Sequence, residues 1–229
     1  MEKNFWLKRW QKRETGFHQE ELNPYLGYFY GEKGPAPEKR GALKVFVPLC
    51  GKSLDMFWLA QNGYEVLGNE CSEIAVKDFF ENHQLDYQII REKLFTRYIS
   101  EAGPEGRSRI EILLGDFFDL SPDDLEGITD IYDRASMIAL PEDMRRAYAD
   151  KMFDLQNEGM RTLLITLTYP QDEMQGPPFS VTEEEVADFY GEHFKIDKLL
   201  GKNIIDDEPS FQQKGVSSLY ESAYKLTRK

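Results

Sequence analysis

The run LKVFVPL, residues 43–49, carries one charge and passes straight into Cys50-Gly51-Lys52-Ser53. An apolar run without alternation suits a strand buried on both faces, as in a parallel sheet covered by helices on each side. The next segment, KSLDMFWLAQ, has helical spacing, with Leu54, Phe57, Trp58 and Gln61 on one side. Asn62-Gly63 ends that helix, and YEVLGNE reads as a second strand. Strand, tight turn, helix and strand in this order predict an α/β chain with an open, mostly parallel, doubly wound sheet.

The alternation continues. Ser72 suits an N-cap, and Val76, Phe79, Phe80 and His83 follow at i, i+3, i+4 and i+7. RIEILLGD is a further strand, and Ser121-Pro122 after it have the form of a helix start. ITDIYDR is a strand entering the turn ASMIAL, and Pro141 opens a helix with Met144, Tyr148, Met152 and Leu155 on one face. MRTLLITLTY is a strand, and Thr182 with Glu185 forms a capping box. HFKIDKLL and SSLYESAYKLT predict two final antiparallel strands. Ahead of residue 43 the chain reads as helical, with Phe5 and Lys8, then Trp6 and Trp10, at helical spacing before Gly16. Segments 32–41, 101–108 and 171–178 combine glycine or proline with charge and read as mobile loops. None is long enough to separate domains, so 229 residues predict a single domain, with 1–40 as a helical cover and 41–229 as the core.

Composition removes several function classes. The formal charge of −13 disfavours a general nucleic-acid binder, which must neutralise phosphates. No apolar run reaches the length of a membrane span, and the charged start lacks the apolar segment of a secretory signal. Cys50 and Cys71 are too few for a disulfide framework or, with three histidines, for structural zinc. A reducing cytoplasm is the expected home, and no metal is expected.

In open α/β sheets, ligands bind beyond the carboxyl ends of the strands. Four strand ends carry candidates. The turn Pro48–Ser53 has one glycine, Gly51, which permits a tight turn and close backbone approach; it is neither a GxGxxG nor a full phosphate-binding loop. Glu70 ends the second strand 19 residues after Gly51 and offers paired oxygens to two ribose hydroxyls. Asp116 and Phe117 end a later strand, where an acceptor and an aromatic ring suit an adenine as well as an ordinary turn. Arg134 ends the next strand and either pairs with Asp133 or meets an anionic group. Cys50 at a helix start reads as packing before nucleophile, and His18 has no partners for a hydrolase triad. These residues support an adenosine-type cofactor without choosing between methyl and hydride transfer.

FWLKRWQKRETGFHQ, VFVPLCGKSLDMFWLAQNGYEVLGNECSE, IYDRASMIALP and GPPFSV, in that order, resemble the thiopurine S-methyltransferase family, over nearly the whole chain. The resemblance implies a Class I S-adenosylmethionine-dependent methyltransferase fold, with a seven-stranded sheet under the helical cover. It implies that Trp10, Leu49, Glu70 and Arg134 contact S-adenosylmethionine, with Trp6 and Gly51 beside them. Asp116 and Phe117 fall where the adenine is held, Phe17 would line the acceptor pocket, and Arg134 would also serve catalysis. The expected reaction is attack by a small aromatic or heterocyclic thiol, or a selenium or tellurium compound, leaving S-adenosylhomocysteine. The Trp6–Phe17 segment is expected to close over the ligands, and the chain to act as a monomer. A halide or thiol methyltransferase, a dinucleotide-dependent oxidoreductase and a non-catalytic cofactor-binding protein are the alternatives.

Overall fold

Val45, Phe46 and Val47 are each no more than 3% exposed, so the strand they form is covered on both faces as its unbroken apolar character requires. The structure is a computed structural model and describes residues 3–229 apart from 17, 20, 33 and 42. The chain divides into two compact units, residues 2–131 and 132–229.

The first unit opens with α1 (Lys3–Gln11), α2 (Pro24–Leu26), a π-helical turn at Gly27–Glu32, and α3 (Pro37–Arg40). Then come β1 (Lys44–Val47), α4 (Leu54–Gln61), β2 (Glu65–Glu70), α5 (Glu73–Asn82), β3 (Gln88–Arg91), β4 (Thr96–Ser100), β5 (Ile110–Leu114) and the start of β6 (Asp130–Arg134). The strands lie in the order β3-β4-β5-β2-β1-β6. β1 pairs in parallel with β2 and with Asp130 and Ile131 of β6, and β2 pairs in parallel with β5. The carboxyl ends of these strands therefore emerge together, with a loop-to-helix turn after β1 and another after β2.

The second unit holds the end of β6, α6 (Glu142–Asp154), β7 (Arg161–Thr168), α7 (Glu183–Tyr190), β8 (Phe194–Asn203), α8 (Pro209–Gln212) and β9 (Tyr220–Arg228). β9 lies between β7 and β8 and is antiparallel to both. The two last strands are thus antiparallel as expected, but residues 204–219 join them in place of a tight hairpin turn. Phe211, Val216 and Leu219 of that connection are buried with Tyr169, the residue after β7.

Local chemistry explains most element ends. Ser53 Oγ accepts from the Asp55 N–H, Ser72 Oγ from Ala75, and Thr182 Oγ1 from Glu185, each satisfying a donor left over at a helix start. Ser121 and Asp124 form a reciprocal capping box, although only a 3-10 turn at Pro122–Leu125 follows. Nine strands form among the described residues where seven were expected. The two unforeseen ones form the β3–β4 hairpin, antiparallel to each other and, through β4, to β5. Every β3 residue is exposed, so it lacks the apolar run that marks a buried strand.

Two expectations about packing are corrected. The deeply buried side of α4 is Asp55, Met56, Leu59 and Ala60, each fully buried, while Leu54, Phe57 and Trp58 are only half-buried. Phe57 stacks on His83, with ring centres 4.2 Å apart. The outer face of α4 is therefore covered as well, and its apolar residues do not distinguish the two sides. Residues 23–30 are also more than a cover. Leu26 and Tyr30 are each 1% exposed, Tyr64 donates its hydroxyl to the Tyr30 carbonyl at 2.7 Å, and the Asn23 N–H donates to Asp55. The Asp55 carboxyl, on a buried helix face, thereby receives a backbone donor.

At Gly68 in β2, a methyl group would stand 2.8 Å from Cys50 Sγ and 3.1 Å from Met56 Sδ. Gly68→Val should destabilise the protein by about 1–3 kcal/mol through overpacking. Urea denaturation checks this, and an unchanged midpoint would contradict so close an approach.

Candidate functional site

The turn after β1 owes its shape to two left-handed residues, Leu49 at φ 46° and Gly51 at φ 54°. For glycine this conformation is free of side-chain strain, while a leucine there costs about 1–2 kcal/mol. What holds the turn is Glu70. Its Oε2 accepts from the Gly51 N–H at 2.9 Å, and its Oε1 accepts from the Ser72 N–H at 2.8 Å. One carboxylate thus ties the turn after β1 to the turn after β2, and the Cys50 N–H reinforces the link by donating to the Asn69 carbonyl at 2.9 Å.

Glu70 is 5% exposed. Burial raises its pKa, and the N–H donors of Ser72 and Gly51 and the Cys71 thiol oppose that rise by favouring the charged form. Each oxygen still has acceptor capacity beyond its backbone bond, which is what two vicinal hydroxyls require. The same burial, and next the charge of Glu70, push the Cys50 thiol well above its ordinary value and raise that of Cys71. Both stay protonated near neutrality, so Cys50 acts as packing.

Beside Glu70 lies a cavity of about 530 Å³, bounded by Cys71–Ile74 after β2, by Leu114 and Gly115 after β5, and by Leu94. Its remaining wall is α1, which contributes Lys3, Leu7 and Gln11. Those three recur at i, i+4 and i+8, one helical face, a spacing legible in the sequence but overlooked beside the tryptophans. The volume falls in the range of small-ligand sites. An adenosine-type cofactor fits this arrangement, with Leu7, Ile74, Leu94 and Leu114 for a base and the Glu70 carboxylate one residue before the Cys71–Ile74 wall for a ribose.

The aromatic residues of α1 divide their roles. Trp10 is 2% exposed, and a methyl on Gly51 would stand 3.4 Å from its Cζ2. The indole therefore lies on the glycine turn. Trp6 is half-buried and meets Phe5 edge-on at 5.2 Å, and it is not among the cavity walls. The C-terminal end of α1 is held by Arg13, left-handed at φ 56°, whose guanidinium pairs with Asp78 of α5. Nearby, burial and then the charge of His18 lower the pKa of His83. Phe17 lies outside the described residues.

After β5, Asp116 caps a 3-10 turn, its Oδ1 accepting from the Phe118 N–H at 3.1 Å, and Lys3 Nζ stands 3.8 Å from Oδ2. Phe117 is 2% exposed, with its ring edge-on to the exposed Phe118. Its ring thus packs inward, and the cavity wall at this point is Gly115. Trp6, Trp10, Leu49, Gly51, Glu70, Asp116 and Phe117 all belong to the first unit. Arg134 belongs to the second, half-buried at the end of β6, where its charge partly offsets the upward push of burial and Asp207 on Glu208. The GPPF turn is in the same unit: the Phe179 N–H donates to the Ile138 carbonyl at 2.7 Å, and Tyr169 donates its hydroxyl to Pro178 at 2.6 Å.

The family model described as thiopurine S-methyltransferase matches residues 1–229. The chain belongs to the thiopurine S-methyltransferase family. A thiopurine S-methyltransferase of Nitrosospira multiformis is 45% identical over 227 residues, covering 99% of this chain and 98% of that one. Another, from Pseudomonas entomophila, is 45% identical over the full length of both chains. Among solved structures, an S-adenosylmethionine-dependent methyltransferase from Anabaena variabilis superposes with a TM-score of 0.64 at 13% identity, covering 99% of this chain and 95% of that one. A Burkholderia thailandensis 1,6-didemethyltoxoflavin-N1-methyltransferase, solved with S-adenosylhomocysteine, gives 0.62 at 10% identity, covering 99% and 87%. At such low identity these two show the fold alone. As a family member the chain is an S-adenosylmethionine-dependent methyltransferase, and the oxidoreductase alternative falls away.

The contact between Trp10 and Gly51 can be isolated. Gly51→Ala and Gly106→Ala both place a methyl at positive φ, but only the first meets a neighbour; around Gly106 the space is open. Each should cost about 1–2 kcal/mol for the backbone alone. At 3.4 Å the methyl on Gly51 makes only an ordinary contact with the indole, so the two variants should cost about the same in denaturant titrations, and a much larger cost at Gly51 would show the indole to sit closer to the turn.

Proposed function

We propose that the chain transfers the methyl group of S-adenosylmethionine to the sulfur of small aromatic or heterocyclic thiols, the thiopurine type included. The observation that carries this reading is the buried Glu70 carboxylate, which clasps the Gly51 turn and the Ser72 N–H, Ser72 itself lining a cavity walled by α1. Selenium and tellurium compounds are proposed as further acceptors, since both offer softer nucleophiles of the same kind. A halide or other thiol acceptor is the second reading within methyltransferases. The chain is proposed to work as a single domain and a monomer in the cytoplasm, without nucleic acid. No helix among the described residues is long and apolar enough to cross a membrane.

When bound, the cofactor supplies a methyl group on a positively charged sulfur, which departs as a neutral thioether. The chain's task is then positioning and exclusion of water. Glu70 is assigned the ribose hydroxyls, and Leu49 and Gly51 supply the backbone surface of the turn. Lys3, Leu7 and Gln11 close the cavity from above, and Trp10 holds their helix to the turn. Trp6 and Phe17 are proposed to complete this cover around the ligands, with Phe17 against the acceptor. Asp116 and Phe117 are assigned the adenine end.

The acceptor's sulfur attacks as its anion. A ring-bound thiol is more acidic than an alkyl thiol at about 8.5 and ionises near neutrality without a dedicated base. The proton leaves to solvent, a carbon–sulfur bond forms to the acceptor, and one breaks at the sulfonium. Arg134 is proposed as the catalytic cation that meets an anionic group of the cofactor or acceptor.

Glu70→Ala should weaken S-adenosylmethionine binding by about 1.5–3 kcal/mol, the worth of charge-assisted hydrogen bonds. Calorimetry measures it, and unaltered affinity would take Glu70 out of the site. Incubating the protein with aromatic thiols, thiopurines, selenite, tellurite and halides in turn, and measuring S-adenosylhomocysteine, tests the acceptor class. Product with the thiols supports the proposal, and product with halides alone overturns it.

A further inference from the structure

Arg134 stands on an exit turn of unusual construction. Ala135, the next residue, is left-handed at φ 65°, and Ser136 after it is fully buried. A non-glycine residue in this region persists only where its surroundings over-determine it. The residue before Arg134 supplies that constraint. Asp133 is 1% exposed, and its Oδ2 accepts from the Tyr148 hydroxyl of α6 at 2.8 Å. Tyr148 is itself fully buried in the middle of its helix. Oδ1 has no hydrogen-bond partner among the described residues. A carboxylate sunk at this depth with one oxygen unsatisfied is costly, and nothing in the packing of α6 on β6 calls for a charge.

We propose that Asp133 is a positioning residue for Arg134: gripped by Tyr148, its ionised carboxylate holds the exit turn of β6 in the shape that presents the guanidinium to the ligands. This rests on the assignment of Arg134 to ligand binding made above. The groups that act on Asp133 within the second unit are the hydroxyls of Tyr148 and Ser136, both favouring the charged form. Tyr190 of α7 also faces it, and its phenol is raised well above its usual value by burial and by the charge of Asp133. Tyr148 is raised likewise, so both phenols remain protonated and available as donors.

Burial outweighs these donors and lifts Asp133 to about 6. The folded value lies above the unfolded one of 3.8, so its contribution to stability is complete below 3.8 and is lost as pH rises through about 6. Positioning has the opposite dependence, because the charged form is the one Tyr148 grips. Cofactor affinity should therefore improve over the same pH interval in which stability falls.

The test measures S-adenosylhomocysteine affinity by calorimetry and melting temperature from pH 5 to 8, for wild type, Asp133→Asn, Asp133→Ala, Tyr148→Phe and Arg134→Ala. Affinity avoids the acceptor's own ionisation, and the wild type minus Asp133→Asn difference removes titration of Glu70. Asp133→Asn keeps the shape without the charge and should bind at pH 7.5 as weakly as the wild type does near pH 5, losing both pH dependences. Asp133→Ala, if folded, should bind about tenfold to a hundredfold more weakly, the scale of a misplaced binding group. Tyr148→Phe removes only the donor and should move the affinity inflection to higher pH. If Arg134→Ala binds normally, the assignment of Arg134 fails and the proposal with it. If Arg134→Ala is impaired while Tyr148→Phe and Asp133→Asn keep the wild-type profile, the positioning role of Asp133 alone is overturned.

Discussion

The clasp between Glu70 and two backbone N–H groups is the interaction on which the first unit's binding surface depends. Gly51 and Ser72 stand on separate connections, one after β1 and one after β2, and without a shared partner each would follow its own loop. A carboxylate has two oxygens at a fixed spacing, so satisfying both donors sets the distance between the connections. The left-handed Leu49 is the strain that such a fixed turn must carry. The donors that Glu70 satisfies offset its desolvation only in part, so the group sits in a low-dielectric site where another hydrogen bond gains most.

From this clasp the cover follows. The Trp10 indole rests on the Gly51 turn, and that contact sets α1 over the cavity with Lys3, Leu7 and Gln11 facing in. The ion pairs of Lys3 with Asp116 and Arg13 with Asp78 join the ends of the helix to the sheet side of the unit. Exposed ion pairs of this kind are each worth little, so the buried indole holds the helix and the charges orient it. The two thiols near Glu70 bear on the same chemistry. An ionised thiol next to a methyl donor is a competing acceptor, and burial with the neighbouring negative charge keeps Cys50 and Cys71 protonated.

Much of the fold was legible because its signals are local. The unbroken apolar run before residue 50, the capping serines at 53 and 72, and the Thr182–Glu185 box all act within a few residues of themselves, and each matches an observed element boundary. The β3–β4 hairpin was missed because an exposed edge strand needs no apolar pattern, and its register comes from pairing with β5. The faces of α4 were confused because His83 stacks on Phe57 and covers the side that would otherwise meet water. Periodicity shows that a helix is amphipathic, and it is silent where both sides are covered.

The same division runs through the candidate site. Residue order alone determined that a glycine turn ends the first strand, that an acid ends the second, and that the chain belongs to this family, because these depend on position along the chain. Only the tertiary structure decided that Glu70 grips backbone N–H groups of both turns, that Phe117 turns inward, and that Lys3, Leu7 and Gln11, more than Trp6, wall the cavity. Those outcomes depend on how separate elements bury one another. A side chain's direction is set by the neighbours it meets, and in a chain where Asp133 and Tyr148 lie 15 residues apart and Gly51 and Glu70 lie 19 apart, those neighbours are brought together only by folding.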